Sequence, residues 1–195
     1  AILGLLSAQR CGVAVDDLPL IAAVNRYLQC QERKGPVVKL SIVDDLTPGG
    51  GTTAECAVAS LGSGYREDPA GGEGVRASMA LGAIGSLTIL DHMLVKMSST
   101  RYKPDLRAKV QAAVRSAWAW LTEHWSVKLN WGWGRNWQFY TLYALERAGM
   151  LGGVGTLNGH DWYWEGATWL IANMAGDGAW CDGDFVNLHD ACFAV

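Results

Sequence analysis

The stretch Asp161-Trp162-Tyr163-Trp164-Glu165-Gly166-Ala167-Thr168-Trp169-Leu170-Ile171-Ala172-Asn173-Met174-Ala175-Gly176-Asp177-Gly178-Ala179-Trp180 reads as an aromatic helix that ends in a glycine turn. Trp162, Tyr163, Gly166, Trp169, Leu170 and Met174 recur at three- and four-residue steps, with Glu165, Thr168 and Asn173 between them, so one face is strongly apolar. Asp161 stands where a side chain caps the first turn and meets the positive end of the helix dipole. Gly176, Asp177 and Gly178 supply the turn, and Trp180 falls just past it, placed to fold back on the helix or on its neighbour.

Outward from this stretch the chain alternates apolar and amphipathic helices. Trp137 to Ala148 reads as a mostly apolar helix after the glycine-punctuated turn Trp131-Gly132-Trp133-Gly134, and Gly149 ends it. Pro104 and Asp105 start an outer helix in which Leu106, Val110, Val114, Ala117 and Leu121 oppose Arg107, Lys109, Gln111 and Arg115. Val75 to Met93, rich in Ala, Gly, Ser and Leu, reads as an inner helix whose small residues permit close packing. Asp16, Asp17 and Pro19 start a half-exposed helix with the stripe Leu20, Ile21, Val24, Tyr27 and Leu28. Ile2 to about Gly12 is apolar nearly all round and is expected to be buried, and a last helix opens at His189 and Asp190. Residues 33–74 lose the pattern and read as a long irregular insertion. Within it Val37 to Val43 suits a short strand or hairpin arm, and Thr53 to Leu61 a helical turn or two.

The opening stretch resembles the QW repeat of the terpenoid cyclase and protein prenyltransferase superfamily, an aromatic helix followed by Gln, three residues, Gly, one residue and Trp. Gly178 and Trp180 match, Asp177 matches the common Asp-Gly pair, and Met174 stands in the Gln position. A second copy runs through Arg26, Tyr27, Leu28, Gln31 and Gly35, with Val37 in the Trp position. Phe139 to Gly149 followed by Gly159 to Tyr163, and Gly64-Tyr65-Arg66 ahead of Ser78-Met79, are similar to an uncharacterised bacterial group of prenyltransferase and squalene-cyclase repeat proteins. The resemblance implies an all-α fold, an α/α toroid of alternating inner and outer helices, here about half of a six-pair barrel. Both termini stop in mid-pattern, so the expectation is one toroid domain, or part of one, within a longer chain.

At 195 residues the chain suits one core, and half of its residues are hydrophobic, with 10 Trp and 24 Gly. A formal charge of -3, a pI near 5.8 and scattered Lys and Arg exclude a nucleic-acid surface. The apolar run from Ala77 to Leu90 is too short to span a bilayer, so no transmembrane segment is expected. Five cysteines without a CxxC pair leave at least one thiol unpaired and read mostly as small buried residues.

The chemistry legible in the residues is sparse. Squalene-type cyclases use an Asp-x-Asp-Asp acid, and the nearest match, Ile42-Val43-Asp44-Asp45, lacks the leading Asp and suits a solvated turn. Asp190-Ala191-Cys192 has the spacing of a prenyltransferase zinc motif, against a simpler reading of Asp190 as a cap and Cys192 as core. His160-Asp161 suits a general-base pair, although capping already occupies Asp161. Asp177, Asp182 and Asp184 are spaced as in a calcium loop that lacks its closing Glu. No metal site and no cofactor are implied. Trp131, Trp133, Trp137, Tyr140 and Tyr143 form an aromatic group, expected to be mostly buried, whose alternatives are core packing and the lining of a cavity. The candidate ligand-binding set is therefore Trp133, Trp137, Tyr140, Tyr143, His160, Asp161 and Trp162. The leading expectation is a toroid without a recognisable catalytic motif that binds an apolar or isoprenoid ligand, or a protein partner, on its concave face. The alternative is an isoprenoid cyclase or prenyltransferase whose catalytic residues lie elsewhere in a longer chain.

Overall fold

A sheet replaces the expected toroid. The computed structural model describes residues 2–44, 51–67, 74–176, 178–180, 192 and 194. Within them the chain runs α1 (Ile2–Arg10), α2 (Asp17–Gln29), β1 (Val37–Asp44), β2 (Thr52–Ala59), α3 (Ala77–Lys96), α4 (Pro104–Glu123), α5 (Gln138–Gly152), β3 (Thr156–Leu157), β4 (His160–Asp161) and α6 (Trp162–Ala172). The four strands form one antiparallel sheet in the order β2-β1-β3-β4, so the fold is mixed α and β, not all-α. The last helix expected at His189 lies outside the described residues.

The irregular insertion is largely this sheet. Val37, Val38, Ile42 and Val43 are β-branched, and β1 pairs with β2 from Val37↔Ala59 to Asp44↔Thr52. The helical turns expected over Thr53 to Leu61 are instead strand β2. Local preference there is weak, and an eight-residue ladder satisfies a backbone that one helical turn would leave half unpaired. On its other side β1 meets a two-residue hairpin made by Asn158 and Gly159, whose φ angles of 46° and 86° are the left-handed pair such a turn requires. Asn158 also stitches that turn to β1. Its backbone N–H donates to the Ser41 carbonyl at 2.8 Å, its Oδ1 accepts from the Ser41 N–H at 2.6 Å, and its Nδ2 donates to the Lys39 carbonyl at 3.1 Å.

One face of the sheet packs on α4, with Leu40 and Leu157 buried beneath it. Helix α3 is the spine, touching α1, α2, α4 and α5, and its 20 residues pass through two hydrophobic clusters. The first joins Leu81 and Ile84 to Trp118, Trp120, Leu145 and Trp162, and the second joins Leu90 and Met93 to Leu20, Val24 and Val110. By length and composition α3 is the one described helix that qualifies to cross a bilayer, but most of its apolar face is spent inside this core. The first helix departs from expectation. Only Leu6 of α1 is buried, while Leu3 is exposed.

Two helix starts follow their capping signals. Asp16 caps α2, its side chain accepting from the Leu18 N–H at 3.0 Å, and Asp161 caps α6, accepting from the Trp164 N–H at 2.8 Å. Trp180 does fold back, its Nε1 donating to the Leu170 carbonyl at 2.9 Å. The apolar face of α6 is only partly used, because Trp162 and Gly166 are buried whereas Tyr163, Trp164 and Ile171 are exposed. Gln31, from the second repeat-like copy, holds the end of α2 to α4 by donating to the Ala113 carbonyl at 2.9 Å.

Asp17 ties the start of α2 to the connection between α3 and α4. Its carboxylate accepts from the Ser99 hydroxyl at 2.6 Å and from Arg101 at 2.5 Å. The Ser99 hydrogen bond, with Arg101 adding to it, holds this carboxyl below the usual carboxylate value of 3.8. The folded chain therefore binds fewer protons here than the unfolded chain, and the contribution to stability is full above pH 3.8 and lost as pH falls through the lowered value. Asp17→Asn is expected to flatten the acid side of a urea-midpoint profile taken from about pH 5 to pH 2. An acid limb of unchanged depth in the variant would show that Asp17 does not contribute to it.

Candidate functional site

Met79, Gly82, Ser86 and Ile89 fall on one face of α3 because they are spaced at three and four residues. That face is the floor of a groove of about 490 Å³. Tyr27 of α2 and Cys30 just after it form one wall, Tyr140, Tyr143 and Leu151 of α5 form the other, and Ser63 to Tyr65 line it as well. The size and the mixture of apolar walls with a few convergent polar groups are those of a small-molecule site.

The two floor glycines explain why the groove is open. A helical glycine costs roughly 1 kcal/mol against alanine, and close packing is its usual justification. Close packing does not require glycine at either position, because an added Cβ would make only ordinary contacts. A Cβ on Gly82 would meet nothing nearer than the Tyr140 hydroxyl at 4.0 Å, and a Cβ on Gly85 nothing nearer than Leu151 at 3.9 Å. By contrast, a Cβ on Gly62 would lie 2.2 Å from Val75, so that glycine is required by its neighbours.

The polar groups of the groove have defined states. Burial, then the neighbouring hydroxyls of Tyr65, Tyr27 and Tyr143, pushes the Tyr140 phenol up, so at neutral pH it is a donor and not a phenolate. Burial also pushes the Cys30 thiol up, with Arg26 opposing, and the thiol donates to the Tyr65 carbonyl. A protonated thiol is a poor nucleophile, so Cys30 is a wall and not a reactive centre. Arg26 donates to Glu67 at 2.7 Å and to the Tyr65 carbonyl at 2.9 Å. Ser63 is 3% exposed, and its hydroxyl has no partner among the described residues.

Of the seven residues selected from sequence, Tyr140 and Tyr143 line this groove, and the other five do not. Trp162, 3% exposed, donates from its ring nitrogen to the Val154 carbonyl and, with Tyr143, walls a second cavity of about 540 Å³ between α5 and α6. Trp133 lies under the Arg76 guanidinium, 3.6 Å from cation to ring. Trp137 caps α5 in a left-handed conformation, φ 60°. The aromatic group is not mostly buried, since Trp131, Trp133 and Trp137 are 38%, 36% and 49% exposed. The reason is local. They sit in or beside the turn after α4, where a tightly bonded backbone keeps their rings at the surface.

His160 and Asp161 do not pair. Asp161 spends its carboxylate on the α6 cap, and His160 Nδ1 is hydrogen-bonded at 2.8 Å to Glu165, one helical turn on. The second Glu165 oxygen accepts from Trp125 Nε1 at 2.8 Å, and the Trp125 ring stacks on His160 at 4.8 Å. This triad fixes an imidazole as a general base would be fixed, but it lies outside the groove lining and serves to tie α6 to the end of α4. Asp44 ends β1 beside Gly153, whose Cβ would stand 3.4 Å from its carboxylate. Cys192 is exposed, as are Cys11 and Cys56, and only Cys30 of the described free thiols is buried, which corrects the expectation of mostly buried cysteines. Asp45, Asp177, Cys181, Asp182, Asp184, His189 and Asp190 lie outside the described residues. Among the described residues no cluster of three His, Cys, Asp or Glu side chains could hold a metal ion.

Sequence reasoning missed Ser63, Arg26, Gly82 and Gly85 as site residues. Gly82 and Gly85 had a usable signal, two glycines three residues apart in an otherwise strong helix, which was assigned to close packing. No protein-family model, no curated protein and no solved structure matches the chain, so neither cyclase nor prenyltransferase has support beyond the sequence pattern.

Proposed function

We propose that this chain binds an apolar small molecule in the groove between α2, α3 and α5. The observation that carries the reading is the pair Gly82 and Gly85, which weaken the spine helix although an added Cβ would find room at both, and which line about 490 Å³ of open space beneath four tyrosines. Tyrosine rings supply apolar area at low entropic cost, and their hydroxyls orient a bound molecule. The protonated Cys30 and the absence of a carboxylate from the described lining give the groove no general base, so the function proposed is binding and not turnover.

The test is a titration with a neutral solvatochromic dye such as Nile red, on the parent chain and on Gly82→Leu. The dye is expected to bind the parent with a blue-shifted emission. Leucine at position 82 extends into the groove toward Tyr140, and at least a tenfold loss of affinity is expected, equivalent to about 1.4 kcal/mol. The thermal midpoint is expected to hold or rise, because leucine is the better helix former by roughly 0.8 kcal/mol. Equal dye affinity in the two proteins would move the binding function away from this groove.

A further inference from the structure

The groove carries a charge pattern as well as an apolar floor. Its described lining contains Arg26 and Arg147 and no Asp or Glu, although each arginine is ion-paired with a carboxylate outside the lining, Arg26 with Glu67 at 2.7 Å and Arg147 with Glu146 at 3.1 Å, which leaves their remaining N–H groups to face a ligand. Arg26 is held to the segment that supplies Ser63, through its bond to the Tyr65 carbonyl. Ser63 itself is pinned on both sides, bridged to Gln31 and accepting from the Arg76 N–H at 3.2 Å. Its hydroxyl is nonetheless buried with no partner among the described residues, a state that costs about 1–3 kcal/mol unless something outside the chain accepts the proton. The two side chains just after α2 do not answer it, since the Cys30 thiol is turned to the Tyr65 carbonyl and Gln31 donates to Leu61 and Ala113. Leu3, Ile89 and Leu151, also in the lining, are purely apolar.

From this asymmetry, and resting on the groove reading above, we propose that the ligand is an amphiphile with one anionic head, a long-chain carboxylate. Its head accepts from the Ser63 hydroxyl beside the Arg26 cation, and its chain lies over Gly82 and Gly85 toward Ile89 and Leu151. A carboxylate is an acceptor with no donor of its own, which is what an unpartnered hydroxyl beside an arginine complements.

The experiment displaces Nile red with hexadecanoate, hexadecan-1-ol and hexadecyl phosphate below their micellar concentrations, using the parent chain, Ser63→Ala and Arg26→Gln. Hexadecanoate is expected to displace the dye at least tenfold more strongly than the alcohol. Each variant is expected to lose about tenfold for hexadecanoate and little for the alcohol, a factor equivalent to about 1.4 kcal/mol. The thermal midpoint of Ser63→Ala is expected to hold, because removing an unpartnered hydroxyl costs no hydrogen bond, whereas a structural role would lower it. Arg26→Gln opens an exposed ion pair with Glu67 and an exposed bond to the Tyr65 carbonyl, and it is expected to fold normally because Ser63 stays held by its backbone bond to Arg76. Equal displacement by alcohol and carboxylate would overturn the anionic head while leaving the groove reading intact. Stronger displacement by the phosphate would overturn the carboxylate. Failure of the parent chain to bind the dye would overturn both readings together.

Discussion

Gly149→Ala is expected to lower the unfolding free energy by about 1–5 kcal/mol, although alanine is the better helix former at this position of α5. A Cβ there would stand 2.5 Å from Cε2, 2.6 Å from Cζ2 and 2.8 Å from Nε1 of the Trp162 ring. That ring is 3% exposed and belongs to the first hydrophobic cluster, and its nitrogen donates to the Val154 carbonyl. Overpacking of this kind costs about 1–3 kcal/mol, and loss of the buried hydrogen bond about 1–3 more, against a gain of roughly 1 from helix propensity. Urea denaturation followed by tryptophan fluorescence would measure it. The cause is separable through the double variant Gly149→Ala with Trp162→Phe. A smaller ring relieves the clash, so the pair is expected to be less destabilised than the sum of its single changes. Strict additivity would mean that the two residues do not compete for the same space.

Gly132→Ala is expected to be at least as severe, about 3–5 kcal/mol, because both its backbone angle and its surroundings oppose a side chain. Gly132 has φ 85°, and its Cβ would lie 2.1 Å from the Val75 carbonyl oxygen, a backbone atom that cannot rotate aside. The segment it would displace closes the start of α3. Arg76, the N-cap of α3, makes no capping hydrogen bond with its side chain, and the first-turn N–H groups are satisfied from the 130–131 segment instead. Ala77 N–H donates to the Trp131 carbonyl and Ser78 N–H to Asn130 Oδ1, each at 3.0 Å, while fully buried Asn130 donates back to the Ser78 hydroxyl. Hydrogen exchange at Ala77 and Ser78 should accelerate in the variant well beyond exchange at Leu90, which lies in the second cluster. Unchanged protection at these two amides would show that α3 does not depend on this cap.

The helices were legible because each carries its own stripe and its own punctuation. Asp16 and Asp161 cap where their position before an apolar run predicts, and Leu20 and Val24 face inward at helical spacing. The sheet was only half legible. Val37 to Val43 has a strand's composition, but the Ala54-Glu55-Cys56-Ala57 run of β2 has no strong preference, and its conformation comes from a partner supplied by β1. Asn158-Gly159 was readable as a two-residue hairpin and was passed over because the flanking strands are two residues each, too short to show alternation. The toroid expectation failed for a related reason. An alternation of buried and exposed helices is satisfied equally by a ring and by a spine helix packed among its neighbours, since periodicity reports which face is apolar and not what covers it.

The same limit divides the site. The sequence by itself determined that α3 would be an inner helix of small residues, that Tyr140 and Tyr143 would share a face of α5, and that Asp161 would cap α6, because each of these depends on residues within one or two turns. The tertiary structure alone decided that Gly82 stands opposite Tyr140 and Gly85 opposite Leu151, that His160 answers to Glu165 and Trp125, and that Ser63 is buried in the same groove lining as Arg26, its hydroxyl without a partner among the described residues. Those facts depend on which distant segments meet, and burial, electrostatics and the vacancy of a groove are properties of that meeting.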